Sequence, residues 1–175
     1  MKRCFLLLPL LALASCGKQT VRAPGDYDLS GTLRGDWNGA DLRLALVGAG
    51  LPNLLTNTST LAQTPLQPGS AFGVDLPSLP DAIGVYQVIA FDDRNNNATY
   101  DPGEAVARNS QWLIFSPRGG EIPALKVPQN LPGAGEELLP ALTVEQGWNL
   151  YDRAQPLSGT NPRAGKKVTG YDLSR

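Results

Sequence analysis

The 175-residue sequence contains no histidine. That absence removes the Ser-His-Asp and Cys-His nucleophilic mechanisms, the usual zinc centres and the commonest general base together. Cysteine is almost as scarce. The two present are Cys4 and Cys16, so nothing beyond residue 16 can form a disulfide or a thiolate metal site. No apolar run is long enough to span a bilayer: residues 5–14 make ten, against about 20 for a membrane-crossing helix. A charge excess is missing too. The 15 basic and 16 acidic residues leave a net charge of −1, too balanced for the basic footprint that nucleic acid requires. Nor does any helical apolar period persist beyond about two turns.

What is present begins at the N-terminus. Lys2 and Arg3 form a short positive region, followed by the apolar stretch 5–14 and then Leu13-Ala14-Ser15-Cys16 across its end. An apolar run of this length with these flanks reads as a secretory signal over residues 1–15. Its final four residues resemble the lipobox of bacterial lipoproteins. The resemblance implies that Cys16 takes a diacylglyceryl group through a thioether and, after cleavage before it, becomes the first mature residue. Two or more acyl chains then anchor the protein, at about 0.8 kcal/mol per buried methylene. The rival is an ordinary secreted protein with a chance cysteine near its cleavage site. Gly17 and Lys18 follow the cysteine, with no Asp at the second mature position. The expected location is therefore the cell envelope: the outer membrane where there is one, otherwise the outer face of the cell membrane.

Removal of residues 1–15 leaves 13 basic and 16 acidic residues, a net charge of −3. Residues 16–26 lack an apolar period and read as a flexible tether; nine such residues reach about 30 Å when extended. Residues 27–175 suit a single domain. Tyr27, Leu29 and Leu33 alternate with polar residues, as do Leu42, Leu44 and Leu46, then Phe72, Val74 and Leu76. This period of two marks half-buried strands. Residues 85–91 and 112–115 are apolar on both faces and read as strands covered on both sides. Residues 49–70 are expected to form a long loop with a short helix near Leu54, and 132–140 another loop. Ile122, Leu125 and Val127 are weaker strand candidates; Leu142 with Val144, then 148–151, are expected to add strands, and the 166–175 tail is expected to pair at an edge through Val168 and Tyr171.

The expected fold class is all-β: an antiparallel two-layer sandwich of about 7–8 short strands, transthyretin-like or Ig-like, with a less regular C-terminal tail. Phe72-x-Val-x-Leu-Pro, followed by Gly84-x-Tyr-x-Val-x-Ala-Phe, resembles the strand-turn-strand of transthyretin-like and carboxypeptidase-regulatory-like sandwich domains.

One segment carries recognisable chemistry. In residues 93–104, DRNNNATYDPGE, oxygen-bearing side chains fall at positions 1, 3, 5, 9 and 12. This spacing resembles the EF-hand loop, in which alternate side chains aim inward to give calcium its 6–8 oxygens. The resemblance implies a side-chain oxygen each from Asp93, Asn95 and Asn97, the backbone carbonyl of Thr99, an oxygen from Asp101 and both carboxylate oxygens of Glu104. Position 6 is Ala98 where the family has glycine, because the turn there needs positive φ; a non-glycine residue in that geometry costs about 1–2 kcal/mol. The entering element reads as a strand, so this is an EF-hand-like loop on a β scaffold. The competing reading is an Asx-rich turn in which Asp and Asn side chains bond their own backbone.

The function expected is structural or binding: a lipid-anchored envelope protein with a calcium-stabilised sandwich and no catalytic role. Its partners would be the membrane, through the lipid on Cys16, and a surface protein or glycan. The alternative is a carbohydrate- or solute-binding lipoprotein with Trp37, in the Asp36-Trp37-Asn38-Gly39 turn, as a stacking platform. Trp112 reads as core, and the basic cluster at 163–167 as a solvated tail. A glycosidase pair drawn from Asp92, Asp93, Asp101 and Glu104 is disfavoured, because no apolar pocket is evident to raise a carboxyl pKa.

Overall fold

The computed structural model describes residues 22–37, 41–50, 54–78, 84–126, 135–165 and 167–175. The signal, Cys16 and most of the tether lie outside the described residues, as do Asn38, Gly39, Val127 and Lys166. The described chain is all-β. After a 3-10 turn at Pro24–Asp26 come β1 (Leu29–Arg34), β2 (Leu42–Gly50), β3 (Leu54–Thr58), β4 (Ala71–Val74) and β5 (Gly84–Asp92). Then follow β6 (Val106–Ala107), β7 (Gln111–Ser116), β8 (Gly120–Ile122), β9 (Leu125–Lys126) and β10 (Glu137–Leu139). The last are β11 (Leu142–Val144), β12 (Gly147–Asp152), β13 (Arg163–Ala164) and β14 (Leu173–Ser174).

A large antiparallel sheet runs β13-β12-β7-β5-β2-β3, with β6 also on β5, and a small sheet runs β14-β1-β4. The period of two decides how they pack. Tyr86, Val88 and Ala90 of β5 face the small sheet, in one cluster with Leu29, Leu33, Phe72, Val74, Leu44 and Leu113. The intervening residues face the opposite way. Val85 and Ile114 meet Ile122, Leu139, Leu142 and Val144 from the two ribbons β8–β11 and β9–β10. Ile89 and Phe91 pack with Ala45 and, less deeply, Tyr100. β5 is thus buried from Gly84 to Phe91 because both its faces are covered, as its continuous apolar run demands. Packed sheets on this plan are compatible with a β-sandwich.

The structure departs from the sequence expectations at several places. Residues near Leu54 form β3, an antiparallel partner of β2, and not a helix. Part of the expected 132–140 loop is β10, paired with β9. The described strands exceed the expected 7–8, because pieces of two or three residues are too short to display a period.

The C-terminal segment is a core element. Leu33 pairs with Leu173 in parallel, and Val168 bridges Leu29 in the same sense. Val168, Tyr171 and Leu173 are all buried. Gly31 permits this approach: a Cβ there would lie 2.2 Å from the Tyr171 carbonyl oxygen. Arg163, expected in a solvated tail, lies in the exposed edge strand β13.

β5 changes neighbours along its length. It pairs with β7 over Gly84–Tyr86 and with β6 at Ala90 and Phe91. Side chains plug the interval. The Tyr171 hydroxyl accepts the Val88 N–H at 3.2 Å and donates to the Gln111 carbonyl at 3.2 Å. Gln87 Nε2 donates to the carbonyls of Asn109 and Gln111 at 3.1 and 3.2 Å.

Candidate metal centre

Loop 93–104 leaves β5 and returns to β6, so strands enter and leave it. Its base is tied to the sheet by Asp92 N–H to the Ala105 carbonyl and Asp93 N–H to the Asp41 carbonyl, each 3.0 Å. Tyr100 packs edge-on against Phe91, with ring centroids 5.8 Å apart. Asn57 Nδ2 donates to the Tyr100 carbonyl at 2.6 Å, and Ser59 Oγ to that of Ala98.

Asp93 is the buried hub. Its side chain is 0% exposed, and Arg43 Nε on β2 donates to Oδ2 at 2.5 Å. The same oxygen accepts the Ala98 N–H and Oδ1 accepts that of Asn97, both at 3.0 Å. Asn95 Oδ1 accepts the Asn97 N–H at 3.1 Å, and Asn97 Oδ1 accepts that of Thr99 at 2.7 Å. These are Asx turns. Both asparagines also aim Nδ2 at Asp101 Oδ2, each at 2.8 Å. Glu104 closes the ring, accepting the N–H of Arg94 at 3.2 Å and of Asp101 at 2.9 Å.

Asp93, Asn95, Asn97, Asp101 and Glu104 therefore share one hydrogen-bonded loop, which Thr99 joins through its N–H. Ala98 has φ +60° and Asn96 φ +53°. The left-handed turn that the EF-hand pattern assigns to position 6 is present without its glycine. The hydrogen bonds to the N–H and carbonyl of Ala98 hold it there.

Charge in the loop is only partly balanced. Arg43 pairs with Asp93, and Arg94 Nε with Asp92 at 2.9 Å. Asp101 and Glu104, both half-buried, have no cationic partner among the described residues. In donor chemistry the set fits a hard cation: carboxylate oxygens, and amide oxygens with a second lone pair left free. The carboxylates do not converge by themselves, since no group of three His, Cys, Asp or Glu side chains is placed to hold a metal ion among the described residues. Asn95 and Asn97 stand between them. Arg43 was missed by sequence reasoning, since 50 residues separate it from Asp93 and its strand gives no sign of a partner.

The tryptophans exchange their expected places. Trp37 is 6% exposed, its Nε1 donates to the Arg34 carbonyl, and the Arg175 guanidinium lies over its ring at 5.3 Å. A buried, capped ring cannot serve as a stacking platform. Trp148 is core, bonded to the Pro77 carbonyl at 2.9 Å and packed on Tyr86 and Phe115. Trp112, expected to be core, is half-buried: it packs against the Val85 and Ile114 cluster and also lines a cleft.

Compared with known protein families, with curated proteins and with solved structures, the chain matches none. Its site must be understood from its own residues.

Proposed function

We propose that this chain is a lipid-anchored cell-envelope protein, held by acyl chains on Cys16, whose transthyretin-like β-sandwich is clipped by calcium in loop 93–104. Its role is structural or binding, and not catalytic. The observation that carries the calcium reading is the pair Asp101 and Glu104. These two half-buried carboxylates have no cationic partner among the described residues, and the asparagine amides donated to Asp101 balance their charge only in part. A divalent cation would replace those amide donors and draw on the oxygens of Asn95 and Asn97 instead. The anchor rests on Leu13-Ala14-Ser15-Cys16. The sandwich likeness is supported by β4 and β5, the two strands of the resembling stretch, lying in different packed sheets.

Calcium at 100 times its dissociation constant adds about 2.7 kcal/mol, equivalent to roughly 5–10 °C for a domain of this size. The melting temperature of the full chain in neutral detergent should rise by that amount with calcium. Asp101→Asn keeps an acceptor for the asparagine amides and should abolish the rise. No calcium response in the parent protein would dismiss the clip. Fatty-acid labelling in cells should be lost in Cys16→Ser; persistent labelling would dismiss the anchor separately.

A further inference from the structure

We infer that the cleft beside Trp112 binds a carboxylate-bearing sugar unit of an acidic polysaccharide. The cleft is an open depression of about 430 Å³ on the sheet surface. It exists because β5 changes partners. Where β7 has ended and β6 has not begun, the sheet is dented, and the buried Gln87 side chain forms the floor by bonding the backbone at Asn109 and Gln111.

The groups around this floor are donors without acceptors. Asn109 Oδ1 is used by the Gln111 N–H at 2.9 Å, which leaves Asn109 Nδ2 shielded from solvent and without a hydrogen-bond partner. A buried donor left unmade is unfavourable, so the Asn109 amide gains by turning outward to an incoming oxygen. Arg108 and Arg153 line the cleft, exposed, and neither side chain has a hydrogen-bond or ion-pair partner among the described residues. Arg22, Arg34, Arg43 and Arg94, by contrast, are each held by an aspartate. Among the described residues no acidic side chain lines the cleft, although two lining residues, Ser110 and Ala154, donate to the Asp152 carboxylate, each at 2.9 Å. The ligand chemistry follows from these groups. A guanidinium fork takes a carboxylate in two parallel hydrogen bonds. The negative face of a partly exposed indole receives the C–H face of a pyranose ring. The Asn109 amide, once turned outward, donates to a ring hydroxyl or carboxylate oxygen.

The site goes beyond the calcium clip and is independent of it, so the test is run in chelator. Tetra-galacturonate is titrated into the full chain in neutral detergent with EDTA, followed by calorimetry and tryptophan fluorescence. Saturable binding is expected, weakened at least tenfold in the double variant Arg108→Gln/Arg153→Gln and several-fold in Trp112→Phe. Arg118→Gln, an exposed arginine outside the cleft, should bind as the parent does. Each variant must keep the parent's cooperative melting, and the conservative Trp112→Phe serves if the double variant does not. No binding, equal binding by the cleft variants, equal binding of neutral malto-tetraose, or equal binding of tetra-glutamate would each overturn the proposal.

Discussion

Replacing Tyr171 by phenylalanine deletes one oxygen from a fully buried site. The ring is fully buried, and its hydroxyl bridges the Val88 N–H and the Gln111 carbonyl in the gap between β7 and β6. The two partners lose unequally. Gln111 retains the bond from Gln87 Nε2, whereas Val88 N–H loses the acceptor it has among the described residues. An unsatisfied buried donor costs about 1–3 kcal/mol, and the phenyl ring fills nearly the same space, so a loss near 2 kcal/mol is expected. Urea denaturation of Tyr171→Phe should show the midpoint falling by about 1 M with the slope unchanged. Tyr100→Phe, whose hydroxyl bonds nothing among the described residues, should stay within about 0.5 kcal/mol of the parent. The pH dependence supplies a second reading. Burial pushes the Tyr171 phenol far above its ordinary value, a shift eased only slightly by the Val88 N–H. A raised folded pKa gives stability that is complete below the unfolded value and lost as pH climbs above about 10. The parent should therefore lose stability more steeply than Tyr171→Phe in that alkaline range. A loss under 0.5 kcal/mol with identical alkaline slopes would refute the claim that this hydroxyl closes the sheet.

Two further substitutions address the loop. Ala98→Gly relieves a left-handed alanine worth about 1–2 kcal/mol and gives back about 0.4–1 kcal/mol in chain entropy. Its urea midpoint in chelator should rise slightly; a fall would mean that residue 98 is not left-handed in solution. Arg43→Gln leaves the buried Asp93 carboxylate without its cation. Losing one partner of a buried pair costs about 3–5 kcal/mol, reduced here to about 2 kcal/mol because the arginine is 37% exposed. Calcium should raise the melting temperature of this variant more than that of the parent, and an equal rise would show that the ion does not sense the Asp93 charge.

The sequence by itself determined much that is local, though not β3, whose five residues read as loop and short helix. A period of two named the strands Leu29–Arg34, Leu42–Gly50 and Ala71–Val74, and apolar residues on both faces marked 85–91, within the strand Gly84–Asp92, as covered on both sides. The spacing of Asp93, Asn95, Asn97, Asp101 and Glu104 placed the loop, and the need for positive φ singled out Ala98, because backbone sterics act on one residue at a time. Strands of two or three residues stayed hidden, being shorter than the pattern that would reveal them. Only the tertiary structure decided the rest. Arg43 meets Asp93 across 50 residues and Tyr171 meets Val88 across 83. The Trp37 ring is capped by Arg175 at the far end of the chain, while Trp112 opens onto a cleft. Exposure and pairing of this kind depend on which segments come to lie against each other. A side chain's neighbours in sequence carry no record of what the returning chain will cover.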